Sequence, residues 1–208
     1  MEVTWLGHAS FKLKTNNTTI YIDPYQGDYQ DTADLILITH DHYDHFSSEK
    51  IDLIKGPDTA IVGPSAVTSR LHPSETIAPE QTLKVKDIDI KAVHAYNINK
   101  AFHPKNTGVG FILTIEDKKI YFCGDTDHIP EMKDIEADII CIPVGGTYTM
   151  NAREAAKAIK TMQPKTAIAI HWGSIVGSRD DADLFKEIVE RTTNTKVLIL
   201  EPGQAVTL

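Results

Sequence analysis

Four side chains able to bind a metal fall within six residues, at His40, His42, Asp44 and His45. They directly follow Leu35-Ile36-Leu37-Ile38, an apolar run that reads as a buried strand. Imidazoles and a carboxylate at the mouth of such a strand are costly unless something pairs with them. A divalent cation does that best. Zinc takes histidine nitrogens and carboxylate oxygens, and a catalytic site leaves a position for water. Two ions about 3.5–4 Å apart can hold both the attacking and the leaving oxygen of a hydrolysis, and such a pair needs roughly seven protein ligands.

Three further residues suit the remaining places. His94 follows Ile88 to Val93, Asp125 follows Ile120-Tyr121-Phe122-Cys123-Gly124, and His171 follows Ala167-Ile168-Ala169-Ile170. Each is a lone polar group at the end of an apolar run. This is the pattern in which rigid strands each deliver one ligand to a shared rim.

In this order the motifs His-x-His-x-Asp-His, a single His, Gly-Asp-Thr and His-Trp-Gly resemble the metallo-β-lactamase superfamily along nearly the whole chain. The resemblance implies that one metal takes His40, His42 and His94. It implies that the other takes Asp44, His45 and His171, with Asp125 between them. Asp23, in Tyr21-Ile22-Asp23-Pro24, matches the superfamily's first motif and implies a carboxylate that supports the ligands from behind. Leu6-Gly7-His8-Ala9-Ser10 resembles the compact branch of metal-dependent hydrolases related to ascorbate-phosphate lactonase. There His8 is expected near the metals as a substrate contact, with a core or capping histidine as the alternative reading. The implied cofactors are two divalent ions, zinc first and manganese or iron as alternatives. Asp44 and Asp125 are expected to orient the attacking water and carry its proton.

The substrate that follows is a small ester, a lactone first and a phosphodiester second. A mononuclear iron oxygenase or a non-catalytic metal-binding protein is the alternative of another class. Tyr96 to Gly108 reads as a long loop over the site. Within and beyond it, His103 and His128 read as solvated loop residues, and Tyr96 and Tyr148 as packed rings with wet hydroxyls.

The elements that must position these groups alternate in kind. Short strands dominate the first half: Val3 to Leu6, Ser10 to Lys14 and Thr19 to Ile22, with a turn at Asn16-Asn17. A helix from Ser47 is expected to stop at Gly56-Pro57, with a strand from Thr59 to Val62 and a short helix from Ser65 to Leu71. Thr82 to Val85 pairs with Ile88 to Val93, and Val109 to Ile115 with Lys119 to Cys123. Asn151 and Glu154 form a capping signature for a helix to Met162. Strand–helix alternation then continues through Thr166 to Ile170 and Asp181 to Arg191. The expected architecture is α/β, a four-layer αβ/βα sandwich of two mixed sheets with outer helices, in one domain over residues 1–208.

Composition bounds the function classes. The formal net charge of −8, from 29 acidic and 21 basic residues, disfavours an extended nucleic-acid surface, because that affinity rests on Lys and Arg neutralising phosphates. A small-molecule substrate is expected instead, and a homo-oligomer is compatible. The two cysteines, Cys123 and Cys141, sit in apolar runs and read as buried reduced thiols. With no apolar run of about 18 residues and no signal-peptide pattern at the start, the expectation is a cytoplasmic protein without a membrane span.

Overall fold

Fourteen strands divide into two sheets of seven. The computed structural model describes residues 1–208. The first sheet takes β1 (Glu2–Gly7), β2 (Ser10–Lys14), β3 (Thr19–Ile22), β4 (Ala33–Leu37), β5 (Lys55–Gly63) and β6 (Glu75–Thr76). The second takes β7 (Thr82–Val85), β8 (Ile88–Ala95), β9 (Gly108–Ile115), β10 (Lys118–Phe122), β11 (Ile139–Pro143), β12 (Thr166–Ile170) and β13 (Lys196–Leu198). β14 (Ala205–Thr207) returns to pair with β1. The orders are β14-β1-β2-β3-β4-β5-β6 and β13-β12-β11-β10-β9-β8-β7. Helices α1 (Ser48–Ile54) and α2 (Ser65–Thr68) follow strands of the first sheet, and α3 (Ala152–Met162) and α4 (Arg179–Thr192) follow strands of the second.

The period-two pattern explains the layering. Ile20, Ile22, Leu35 and Leu37 enter the large core shared with the second sheet. Their neighbours Tyr21, Ile36 and Ile38 face the opposite way, onto Ile51 and Ile54 of α1 and Val67 of α2. The run at Leu35 to Ile38 is continuously apolar because both of its faces are covered, as in parallel sheets packed under helices. Two mixed sheets face each other with helices outside, the expected four-layer sandwich. No helix is long and apolar enough to cross a membrane.

Most expected elements lie where the sequence places them. The capping box at Asn151 and Glu154 starts α3 as expected. Several boundaries differ: α2 stops at Thr68 rather than Leu71, and β8 runs to Ala95 rather than Val93. Gly56-Pro57 does not interrupt the chain between α1 and a strand at Thr59; β5 begins at Lys55 and runs through both residues. Its pairing with β4 shifts register between Ala33 and Leu35. Such an irregularity is where a strand tolerates proline. Thr59 stabilises it, its hydroxyl donating to Ala33 O and accepting from Gly56 N at 2.8 Å.

The direction of the parallel strands positions the site. β3, β4 and β5 run parallel, as do β10, β11, β12 and β13. The segments leaving the carboxyl ends of β3, β4, β10 and β12 carry Asp23, the His40–His45 motif, Asp125 and His171. Open α/β sheets bind ligands at this edge.

Candidate metal centre

Two groups of ligand atoms converge beyond these strand ends, each within 4.8 Å: His40, His42 and His103, and His8, Asp44, His45 and His171. Asp125 joins them. Its Oδ2 lies 3.2 Å from His103 Nε2 and 3.1 Å from His171 Nε2. Its Oδ1 lies 3.2 Å from His45 Nε2. A single carboxylate therefore spans both groups.

Asp23 sets the tautomers of two of these histidines. It accepts from Thr39 N, Thr39 Oγ1 and His45 Nδ1, each at 2.7 Å. Thr39 Oγ1 spends its proton on Asp23, so it accepts from His40 Nδ1 at 3.0 Å. His40 and His45 both carry their proton on Nδ1 towards this support and turn Nε2 inward. Behind metal-binding histidines this arrangement fixes ring orientation and raises basicity. Asp23 adopts φ 46 and His171 φ 59, left-handed backbone that costs free energy away from glycine.

The inward atoms lack other partners. His45 Nε2, Asp125 Oδ1 and His171 Nε2 are buried without a hydrogen bond, although neighbours stand 3.1–3.2 Å away. The atoms are close enough to pair, but their geometry is not that of hydrogen bonds. His40 Nε2 and His103 Nε2 lie 3.1 and 3.2 Å from His42 Nδ1. Ligands at 2.0–2.1 Å from a tetrahedral zinc stand about 3.3 Å apart. The donor set fits divalent cations at both groups.

The charges agree. Burial works to raise Asp125, but the His171 and His45 rings outweigh it and hold the carboxyl well below its ordinary value. Burial alone would lower His45, but Asp125 and Asp23 on either side raise it well above the ordinary histidine range.

Three sequence-derived placements are corrected, those of His94, His8 and His103, the last expected as a solvated loop residue but 6% exposed. His94 is not among the converging groups. β8 continues past it to Ala95, and it pairs with Val109 inside the sheet. It lines a separate cavity with Val93, Tyr121 and Met132. His103 stands in its place, brought in by the loop between β8 and β9. Nothing in the strand pattern marked it, because a loop delivers it. The available signal was the density of hydrogen-bonding residues, Asn97 above all, around it. His8 lies among the converging groups but is 1% exposed, a buried ring rather than the exposed contact a substrate would need. Its Nε2 lies 2.9 Å from Asp44 Oδ2, and burial lowers its pKa, so a neutral ring donates to that carboxylate. It stands behind Asp44.

The other loop candidates separate. His128 lies near exposed Thr161, and Tyr96 donates to Glu131 at 3.0 Å. Tyr148 lines a cavity of about 250 Å³ whose floor is His42, Asp44, His103 and Asp125.

A family profile described as the beta-lactamase superfamily domain matches residues 2–171. The chain belongs to the metallo-β-lactamase superfamily. A UPF0173 metal-dependent hydrolase from Methanopyrus kandleri is 30% identical, over 99% of both chains. The structure of a candidate metal-dependent hydrolase from Parabacteroides distasonis is 32% identical, with a TM-score of 0.88 over 97% of this chain and 93% of that one. Igni18, a metallo hydrolase from Ignicoccus hospitalis, shares the fold at 23% identity, with a TM-score of 0.83 over 99% of this chain and 97% of that one. The Methanopyrus kandleri and Parabacteroides distasonis relatives set the class of this superfamily member as a metal-dependent hydrolase.

Proposed function

We propose that this metal-dependent hydrolase works with two divalent ions, zinc first, on a small lactone. One ion would be held by His40, His42 and His103. The other would be held by Asp44, His45 and His171, with Asp125 shared. The observation that carries the pair is the single Asp125 oxygen placed between His103 and His171. When bound, such ions supply activated water at neutral pH and polarise the ester oxygen.

The chain's own groups do the rest. Asp44 remains a carboxylate: burial opposes this, but the His8 hydrogen bond and the His45 charge hold its pKa down. It faces the cavity floor beside Asp125, where either carboxylate can accept the proton of an attacking water. His8, behind Asp44, fixes which oxygen faces inward. The lactone follows from the resemblance of Leu6 to Ser10 and Ile22 to Pro24 to the lactonase-related branch.

Metal analysis of protein reconstituted with zinc tests the centre, and a panel of lactones, phosphodiesters and thioesters tests the chemistry. Two ions per chain and turnover of lactones are expected. One ion per chain, or turnover of phosphodiesters alone, overturns the reading.

A further inference from the structure

The cavity over the metal centre has two unlike halves. Its floor is the ligand set; its walls are Tyr43, Phe102, Tyr148 and Ile175. Phe102 and Tyr148 meet edge to face, with ring centroids 4.7 Å apart, a favourable aromatic geometry. The chain exposes four large hydrophobic side chains: Tyr43 at 67%, Leu53 at 62%, Ile98 at 51% and Phe102 at 48%. Two of these line this cavity, and Ile98 lies on the loop that carries Phe102. Exposed apolar groups gathered at one cleft mark a binding surface, whereas scattered ones need no explanation.

No lysine or arginine lines the cavity. Both lysines of the loop are already paired, Lys105 with Glu131 and Lys100 with Asp127. Lys100 Nζ bonds Asp127 Oδ1 at 2.5 Å and Thr149 O at 3.0 Å. A phosphate or carboxylate at a distance from the metals would meet aromatic rings and no counter-charge. Such a group would be desolvated without compensation.

We infer that the substrate carries an uncharged aromatic or short aliphatic substituent next to the ester bond, seated between Phe102, Tyr148, Tyr43 and Ile175. This deepens, and rests on, the lactone reading. It departs from the phosphorylated substrate of the lactonases that the N-terminal motif resembles. The cavity, at about 250 Å³, adjoins a second of about 170 Å³ that shares His42, Phe102, His103 and Asp125, which leaves room for a ring beside the lactone.

Three lactones that differ only at one carbon test the inference on the zinc-loaded protein. They are γ-butyrolactone, γ-phenyl-γ-butyrolactone and the γ-carboxylate of γ-butyrolactone. The phenyl compound is expected to exceed the parent in kcat/KM by about tenfold or more, the size of a well-filled apolar contact. The carboxylate is expected to fall below the parent. Phe102→Ala and Ile175→Ala should each remove most of the phenyl advantage, read within each variant as the ratio of phenyl to parent kcat/KM. A carboxylate preferred over phenyl, or a phenyl advantage that survives both substitutions, overturns the inference while leaving the lactonase reading intact. Binding is read separately with 5-phenyl-2-pyrrolidinone, the slowly reacting lactam, by saturation-transfer NMR. Transfer to its phenyl protons that Phe102→Ala abolishes supports the inference even if no lactone turns over, which would overturn only the lactonase reading. No transfer from the wild-type protein overturns the inference.

Discussion

Asn97 grips His103 at two points: its Oδ1 accepts from the His103 backbone N and from Nδ1, each at 3.0 Å. With the proton held on Nδ1, the Nε2 lone pair faces His42 and Asp125. The amide is itself fixed, because Asn97 Nδ2 donates to Asp127 Oδ1 at 3.2 Å and to Tyr148 O at 3.0 Å. Asp127 also accepts from Ile98 N at 3.0 Å. A surface loop thus acquires the rigidity that a strand end gives the other ligands.

Replacing Asn97 with Ala should therefore act on the metal rather than on the fold. His103 would keep its place in the chain and lose its orientation. Affinity at the position of His40, His42 and His103 should fall roughly 10–100-fold, the usual effect of removing such a support. Chelator competition at the two positions measures it. Unchanged affinity at both would mean that the grip is incidental.

His94 and His103 give opposite expectations. His103→Ala should lower bound metal from two ions to about one per chain, because zinc needs three protein ligands at a catalytic position. His94→Ala should leave the metal content at the wild-type value. Metal content by mass spectrometry on folded protein decides between them. Loss of metal in His94→Ala, with retention in His103→Ala, would reverse the ligand assignment.

The difference between these two histidines shows what the sequence could carry. Where a ligand ends an apolar run, as Asp125 and His171 do, periodicity announces both the strand and the group it presents. The same holds for the layering, since Leu35 to Ile38 declares a strand covered on both sides. His94 satisfies that pattern too, and only the extension of β8 to Ala95 takes it out of the site. His103 has no such signal, because its place depends on Asn97 and Asp127 closing a loop across 6 and 30 residues. The residue pattern leaves His8 open between a substrate contact and a core or capping histidine. Its role depends on the approach of Asp44, which is 36 residues away. Side-chain bonds across such separations leave no period to read.

The charge state of His45 makes metal binding depend on pH in a distinctive way. Its pKa is raised well above the ordinary value by Asp125 and Asp23, despite burial. A raised pKa stabilises the metal-free fold fully below the unfolded value of about 6.5, and that contribution is lost as pH rises through the folded value. A ligand must be deprotonated to bind a cation, so binding there releases the proton. At a pH of about 8 an ordinary histidine is already neutral. Calorimetric titration of zinc in buffers of different ionisation heats should still show proton release at that pH, and less of it in Asp23→Asn. Equal release in both proteins would show that the proton comes from elsewhere.

Gly145 tests how tightly the His171 backbone must be held. A Cβ at this position would lie 2.1 Å from His171 O and 3.2 Å from Val176 Cγ2. The first contact is with backbone, which cannot rotate aside. His171 is already constrained on its other side, where its N donates to His8 O at 2.9 Å. Its left-handed φ of 59 leaves little freedom to relax. Gly145→Ala should push His171 away from Asp125, emptying the position of Asp44, His45 and His171. It should also cost about 1–3 kcal/mol or more in stability, as overpacking does. Denaturant unfolding of the metal-free protein reads the second effect and metal content the first. A variant with wild-type stability and two ions per chain would show that the segment from His171 to Gly173 has room to move.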